Sequence, residues 1–248
     1  MNIIIPMAGE GKRYLQGGFQ TWKPFIRVGT GKTLLELAVE SLNIPDGFRV
    51  TFVCTKEQEA RWSVRATINH LFSRQSFRCR FIHLPKLTRG QAETVYESLM
   101  FERSDAPLVI YNCDTIYRSK RNIFEDVATS KSCLLGTFQS TSPSYGYVSL
   151  SDTGLVTEVT EKVVVSSNAC NGLYTFPSTR MFKDVYDRPC VGDAMPGEKY
   201  VGPLYNRVIQ SGLCDVRPWD TETVTIGTPE EFLFYTKTQL ESENKSGL

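Results

Sequence analysis

Asn2-Ile-Ile-Ile-Pro6 is a short, apolar, β-branched run that leads directly into a glycine-bearing segment, Met7-Ala-Gly-Glu-Gly-Lys-Arg13. A short strand with no polar face is buried on both sides, the condition of a parallel sheet, and glycines at its carboxyl end read as a ligand loop. The rhythm then repeats. Thr33 to Leu42 places Leu34, Leu37, Ala38 and Leu42 on one helical face, with Thr33 as cap and Glu36 three residues on. Strands at Arg49 to Cys54, Cys79 to Leu84 and Leu108 to Asn112 alternate with helices at Glu57 to Phe72 and Gly90 to Phe101. Such alternation predicts right-handed βαβ units and a mainly parallel sheet flanked by helices, an α/β fold.

The second half changes character. Short strands crowd together at Leu134 to Phe138, Gly146 to Leu150, Leu155 to Val159 and Gly172 to Phe176, with a turn at Ser151-Asp-Thr-Gly154. These predict antiparallel additions, followed by helices at about Tyr200 to Ser211 and Pro229 to Leu240 and a frayed polar tail over 241–248. No repeat or linker divides residues 1–248, so a single domain is expected; a chain of this size buries roughly three quarters of its unfolded surface.

Composition narrows the function. Lys and Arg number 28 against 27 Asp and Glu, a net charge of +1 that offers no footprint for nucleic acid. Cysteines at 54, 79, 113, 133, 170, 190 and 214 are odd in number and form no C-x-x-C, which argues against a disulfide framework and a structural zinc site. The two histidines, His70 in a helical stretch and His83 in a strand, read as structural. With no apolar run near the ~18 residues of a membrane span and no signal pattern, a cytoplasmic protein with no membrane partner is expected.

In an open α/β sheet, ligands lie beyond the carboxyl ends of the strands. Ala8 to Arg13, Pro85 to Glu93 and Cys113-Asp114 therefore carry most of the functional information. Gly9-Glu-Gly-Lys-Arg13 can wrap phosphate oxygens with backbone N–H groups and add a forked guanidinium, or it can simply be a tight turn. Gly29-Thr-Gly-Lys-Thr33 is not a Walker loop, because Ile26 stands where the first glycine is required. Asp114 is either a ligand for Mg²⁺ shared with substrate phosphates or the N-cap of the following segment. Glu161-Lys162 and the polar loop to Gly172 read by themselves as a solvated strand edge.

Taken in order, these segments resemble the sugar-phosphate nucleotidyltransferase family, the nucleoside-diphosphate-sugar pyrophosphorylases. The matching residues are Ala8-Gly-Glu-Gly-Lys-Arg13, Lys23-Pro-Phe-Ile-Arg-Val28 with Gly31-Lys-Thr33, Gly90-Gln-Ala-Glu93, Asn112-Cys-Asp114, Tyr145-Gly-Tyr-Val148, Glu161-Lys162, Asn168-Ala-Cys-Asn-Gly-Leu-Tyr174, Lys199-Tyr-Val-Gly-Pro-Leu-Tyr-Asn206 and Ile226-Gly-Thr-Pro-Glu230. The resemblance implies a Rossmann-like mixed sheet with the active site at its open edge. It implies that Ala8, Gly9, Glu10, Gly11, Gly90 and Gln91 hold the nucleotide, and that Arg13 and Lys23 contact the triphosphate. Asp114 would hold Mg²⁺, while Gly146, Glu161, Lys162, Asn171 and Gly172 surround the sugar phosphate. The implied partners are a nucleoside triphosphate and a sugar 1-phosphate, and the implied reaction gives a nucleotide sugar and pyrophosphate for cell-surface polysaccharide precursors. The base, the sugar and the oligomeric state stay open.

Two positions depart from the family pattern. The aspartate that opens the closing motif as second metal ligand is Thr225, leaving three readings: replacement by Asp220 or Glu222, a water in its place, or weaker metal binding. The proline before the lysine is Trp22, and the Gly- and aromatic-bearing insert from Tyr14 to Thr21 is expected to alter the entrance to the nucleotide site. Alternatives that keep the fold are a cytidylyltransferase acting on a non-sugar phosphate and a non-catalytic nucleotide-sugar sensor.

Overall fold

The computed structural model describes residues 1–188 and 197–246; Cys190 lies outside them. The first half consists of β1 (Asn2–Pro6), α1 (Lys12–Gln16), α2 (Leu34–Ser41), β2 (Arg49–Thr55), α3 (Lys56–Trp62), α4 (Val64–Leu71), β3 (Arg78–Leu84), α5 (Gln91–Leu99) and β4 (Leu108–Tyr111). Then follow β5 (Thr115–Arg118), α6 (Ile123–Thr129), β6 (Cys133–Gln139), β7 (Gly146–Leu150), β8 (Val156–Glu161) and β9 (Asn168–Phe176). The chain closes with α7 (Thr179–Asp187), α8 (Leu204–Gln210), β10 (Val216–Asp220), β11 (Glu222–Thr225) and α9 (Pro229–Ser246).

The main sheet runs β10-β6-β9-β4-β1-β2-β3, with β7 joined to β8 and β9 beside it. β3, β2, β1 and β4 are parallel neighbours, whereas β9 lies antiparallel to both β4 and β6. This is the expected α/β architecture: a mainly parallel centre with antiparallel additions from the second half. β1 and β4, in the centre of the sheet, are apolar on both faces because both faces are covered, whereas β3 at the edge carries Arg78, Arg80 and His83. Ile3, Ile5, Phe52 and Tyr111 enter one core, and Ile4, Val53, Leu108 and Ile110 enter the other. From β1 the chain adds strands on one side through β2 and β3, then crosses to place β4 on the other side. β1 and β4 therefore frame a switch point, and the crevice beyond their carboxyl ends is where such a sheet takes its ligand.

Local signals account for most boundaries. Thr33 and Glu36 form the expected reciprocal cap at the start of α2. Gly29 to Thr33 is a tight turn, with Gly31 N–H donating to Val28 O at 2.8 Å and Val28 N–H to Lys32 O at 2.9 Å. Two expectations are corrected. The helix expected from Glu57 to Phe72 is two helices, broken where Ser63 adopts a left-handed conformation (φ 46°) that ends α3 and starts α4. A lone serine without Gly or Pro gives no composition signal for such a break. The helix expected to stop at Leu240 continues to Ser246, through residues whose polarity reads as a tail.

The insert from Tyr14 to Thr21 turns inward. Tyr14 is buried, and its ring meets those of Phe19 and Phe232 edge-on at 5.1 and 6.3 Å. Its hydroxyl donates to Ile226 O at 2.7 Å. The insert thus fastens α1 to the segment leading into α9. Trp22 is also buried, and its Nε1 donates to Gly9 O at 3.3 Å, an acceptor shared with Gln58 Nε2 at 3.0 Å. The indole that replaces proline therefore helps hold the glycine loop in place. No helix among the described residues is long and apolar enough to cross a membrane.

Candidate active site

A cleft opens at the switch point. Arg13 and Lys23 reach it from the segment after β1, and Asn112 and Asp114 from the segment after β4. Tyr145 and Asn171 line its antiparallel side, and Thr225, Gly227 and Glu231 close it from the C-terminal segment. Asp114 is followed by strand β5 rather than a helix, which removes the N-cap reading of this residue.

Lys23 Nζ donates to Asp114 Oδ2, and it lies 3.3 Å from Gly227 O and 5.6 Å from the centre of the Tyr14 ring. Burial alone would lower the Lys23 pKa, but the Asp114 carboxylate and its hydrogen bond outweigh this and hold it above the ordinary lysine value. The ammonium is thus fixed in charge and in place. Gly11, in the left-handed region at φ 69°, is what lets the loop pass the Lys23 side chain: a Cβ on Gly11 would sit 3.3 Å from Lys23 Cβ.

The remaining expected residues fall around this centre. Ala8 is buried beneath the loop, while Gly9 and Glu10 are exposed and Glu10 pairs with Lys12 at 2.7 Å. Gly90 starts α5, and Gln91 Nε2 donates to Asn112 Oδ1, which ties the loop after β3 to the one after β4. Gly172 at φ 87° leaves space for the Asn112 side chain. Asn171 reaches the cleft, yet its amide is engaged by Thr221 Oγ1 at 3.0 Å, Thr223 Oγ1 at 3.3 Å and the Leu173 N–H at 2.9 Å. Gly146 and Glu161 are register partners at the ends of β7 and β8. Lys162 follows in a left-handed conformation and donates to Tyr200 Oη at 2.6 Å.

Asp220 and Glu222 do not take the place left by Thr225: Asp220 accepts from Thr137 Oγ1 at 2.6 Å, and Glu222 is exposed, opposite Arg118 on the ribbon of β5 and β11. The carboxylate that comes nearest is Glu231. Its Oε2 and Asp114 Oδ2 lie 3.4 and 3.2 Å from the point where a Cβ on Gly227 would stand. Glu231 accepts from Thr225 Oγ1 and the Gly227 N–H, each at 2.7 Å, from the Thr228 N–H at 3.0 Å, and from the Tyr145 hydroxyl. Four donors saturate it, so it braces the cleft wall. The Thr228-x-x-Glu231 capping box was readable in the sequence; the approach of its carboxylate to Asp114 depends on tertiary packing.

Burial raises the Glu161 carboxyl from 4.5 to about 7; Lys162 opposes the shift and Glu198 adds to it. A pKa higher in the folded than in the unfolded state contributes stability that is complete below 4.5 and lost as pH rises through about 7. Glu161→Gln is expected to flatten the pH dependence of the urea midpoint across that interval; an unchanged slope counts against the assignment.

The nucleotidyl transferase family model matches residues 2–191, the segment that carries the glycine loop, Lys23, Asp114 and the strands between them. The chain belongs to this family. Among solved structures, a nucleoside-diphosphate-sugar pyrophosphorylase from Vibrio cholerae RC9 is 25% identical, with 95% of this chain and 99% of that one aligned at a TM-score of 0.79. A UDP-glucose pyrophosphorylase complexed with UDP-glucose shares the fold at 12% identity, covering 98% of this chain and all of that one, with a TM-score of 0.77. The inositol-1-phosphate CTP transferase from T. maritima shares it at 14% identity, over 93% and 90% of the two chains, with a TM-score of 0.71. No curated protein matches in sequence. This nucleotidyl transferase thus has the fold of enzymes that make nucleotide-activated compounds, among them sugar nucleotides.

Proposed function

We propose that the protein transfers a nucleoside monophosphate from a nucleoside triphosphate to a sugar 1-phosphate, releasing pyrophosphate. The observation that carries this reading is the Lys23–Asp114 pair at the switch point, with Arg13 on the same cleft wall. An oxygen of the sugar phosphate attacks the α-phosphorus, a new P–O bond forms, and the bond to the β-phosphate breaks. A phosphate monoester has its second pKa near 6, so the nucleophile arrives mostly dianionic and needs no general base. The task left to the protein is to bring two anions together in line, and fixed cations serve it. In this reading Arg13 and Lys23 contact the triphosphate and Lys162 the incoming phosphate. Glu161, with its carboxyl near half-protonated at neutral pH, can donate a hydrogen bond to the acceptor as well as receive one.

The donor set fits Mg²⁺, which takes one or two carboxylates and completes its shell with phosphate oxygens and water. Asp114 would hold it through the oxygen not engaged by Lys23, and the bound ion would neutralise developing phosphate charge. Glu231 is saturated, so only one protein carboxylate is expected. The product would serve polysaccharide assembly in a cytoplasmic setting.

Pyrophosphate release from the four nucleoside triphosphates, each offered hexose 1-phosphates and phosphorylated non-sugar alcohols, tests the reading. Turnover with a sugar 1-phosphate is expected. Turnover with non-sugar phosphates alone would make the protein an enzyme of the kind represented by the inositol-1-phosphate CTP transferase. Nucleotide binding by calorimetry without turnover would make it a sensor.

A further inference from the structure

At the carboxyl ends of β2 and β3, the parallel register places Cys54 directly beside His83. Side chains of register partners share a face of the sheet, and neighbouring strands are about 4.8 Å apart. Glu59 joins them from the first turn of α3, whose start is fixed by a reciprocal cap between Thr55 and Gln58. The Cys54 thiol, a Glu59 carboxylate oxygen and His83 Nε2 all lie within 4.8 Å of one another, the one such group of three found among the described residues. His83 Nε2 is buried without a hydrogen-bond partner, although it stands 3.2 Å from Glu59 Oε2. The ring nitrogen thus faces the carboxylate without an aligned hydrogen bond, and a metal between imidazole, carboxylate and thiol would engage all three.

We propose that Cys54, Glu59 and His83 form a zinc-binding site beside the glycine loop, sharing no residue with the lining of the cleft. Sulfur, imidazole and carboxylate together form a donor set suited to Zn²⁺ rather than Mg²⁺. In a tetrahedral zinc site, ligand atoms lie roughly 3.3–3.7 Å apart. The nitrogen and oxygen, 3.2 Å apart, are already close to that spacing, and the sulfur, within 4.8 Å of both, would close in as the metal binds. With three protein ligands, a water would complete the tetrahedral shell. The Glu59 carboxylate is oriented by the Arg65 N–H at 3.0 Å, an outer contact of the kind that steadies metal ligands. On binding, the thiol gives its proton to solvent as the Zn–S bond forms, and no electron is transferred. Because the neighbouring Gln58 holds Gly9 O, a metal here would clip α3 beneath the glycine loop.

Sequence reading favours a structural role for His83 and argues against a structural zinc site, since the cysteines are odd in number and form no C-x-x-C. Only the register of β2 and β3 brings Cys54 and His83 together.

Untagged, chelator-treated protein titrated with Co²⁺ in excess Mg²⁺ tests the site. One equivalent per chain is expected to give thiolate-to-cobalt charge-transfer absorption and tetrahedral visible bands, both abolished by one equivalent of Zn²⁺. Cys54→Ser and His83→Gln are expected to weaken Zn²⁺ binding at least ~100-fold, a loss no smaller than that from removing an outer-shell partner. Glu59→Gln, at a more exposed position, guards against misfolding of the other two and is expected to weaken binding at least ~10-fold. Zn²⁺ should raise the thermal midpoint of the wild type and not of His83→Gln. Co²⁺ spectra lacking the thiolate band, or unchanged in Cys54→Ser while lost in Cys214→Ser, would overturn the assignment.

Discussion

Replacing Lys23 by alanine is expected to cut turnover at least ~10²-fold, the usual loss when one preorganised charge is removed from a phosphoryl or acyl transfer site. The ammonium is held by Asp114 and Gly227 O against the Tyr14 ring, so it needs no reorganisation as the α-phosphate gains charge. Asp114→Ala is expected to cost a similar factor, for two reasons: Lys23 loses the anion that keeps it in place, and the Mg²⁺ proposed above would lose its protein carboxylate. Because each residue supports the other, the double variant should lose much less than the product of the single losses. Steady-state pyrophosphate release measures all three rates, and a thermal melt of each variant separates lost chemistry from lost folding. Independent, multiplicative effects would show that the pair does not act as a unit. Near-wild-type rates in both single variants would remove these residues from the site.

Much of this arrangement is legible along the chain because it depends on local chemistry. The β-branched run at Asn2 to Pro6, the glycines after it and the Thr33-x-x-Glu36 cap each specify their own structure. The first four parallel strands appear close to their expected places for the same reason. What escaped depends on contacts distant in sequence. β5 and β11 form a small ribbon that becomes a strand pair only when Thr115 to Arg118 meets Glu222 to Thr225. β10 contains Pro218 and reads poorly as a strand, but it lies at the end of the main sheet beside β6, where a missing N–H is tolerated. The site divides in the same way. Arg13 and Asp114 follow strands and can be named from position, whereas Lys23 is carried by the family resemblance. Glu231, Tyr145 and Asn112 line the cleft because of how the C-terminal segment, the β7 approach and the end of β4 pack together.

Gly90→Ala is expected to destabilise the protein and to impair nucleotide binding together. Gly90 has φ 150° and ψ −175°, a region open essentially to glycine, where a side chain costs about 1–3 kcal/mol. A Cβ there would also sit 2.6 Å from both the backbone nitrogen and the backbone oxygen of Lys199. Those atoms cannot move aside freely: Lys199 N–H donates to Arg89 O, and Lys199 O accepts from the Ala92 N–H, each at 2.8 Å. Losing both bonds adds about 1 kcal/mol each. The expected fall in unfolding free energy is therefore about 3–5 kcal/mol, measurable as a lower urea midpoint. Because Gln91 holds Asn112 next to Asp114, displacing the loop should also raise KM for the triphosphate at least ~10-fold, the scale of one misplaced contact. Gly154→Ala is the control for conformational strain alone. It has φ 76° with nothing within 4 Å of its Cβ, and is expected to cost about 1–2 kcal/mol without changing KM. If the two variants behaved alike, the junction with Lys199 would not be what positions the loop.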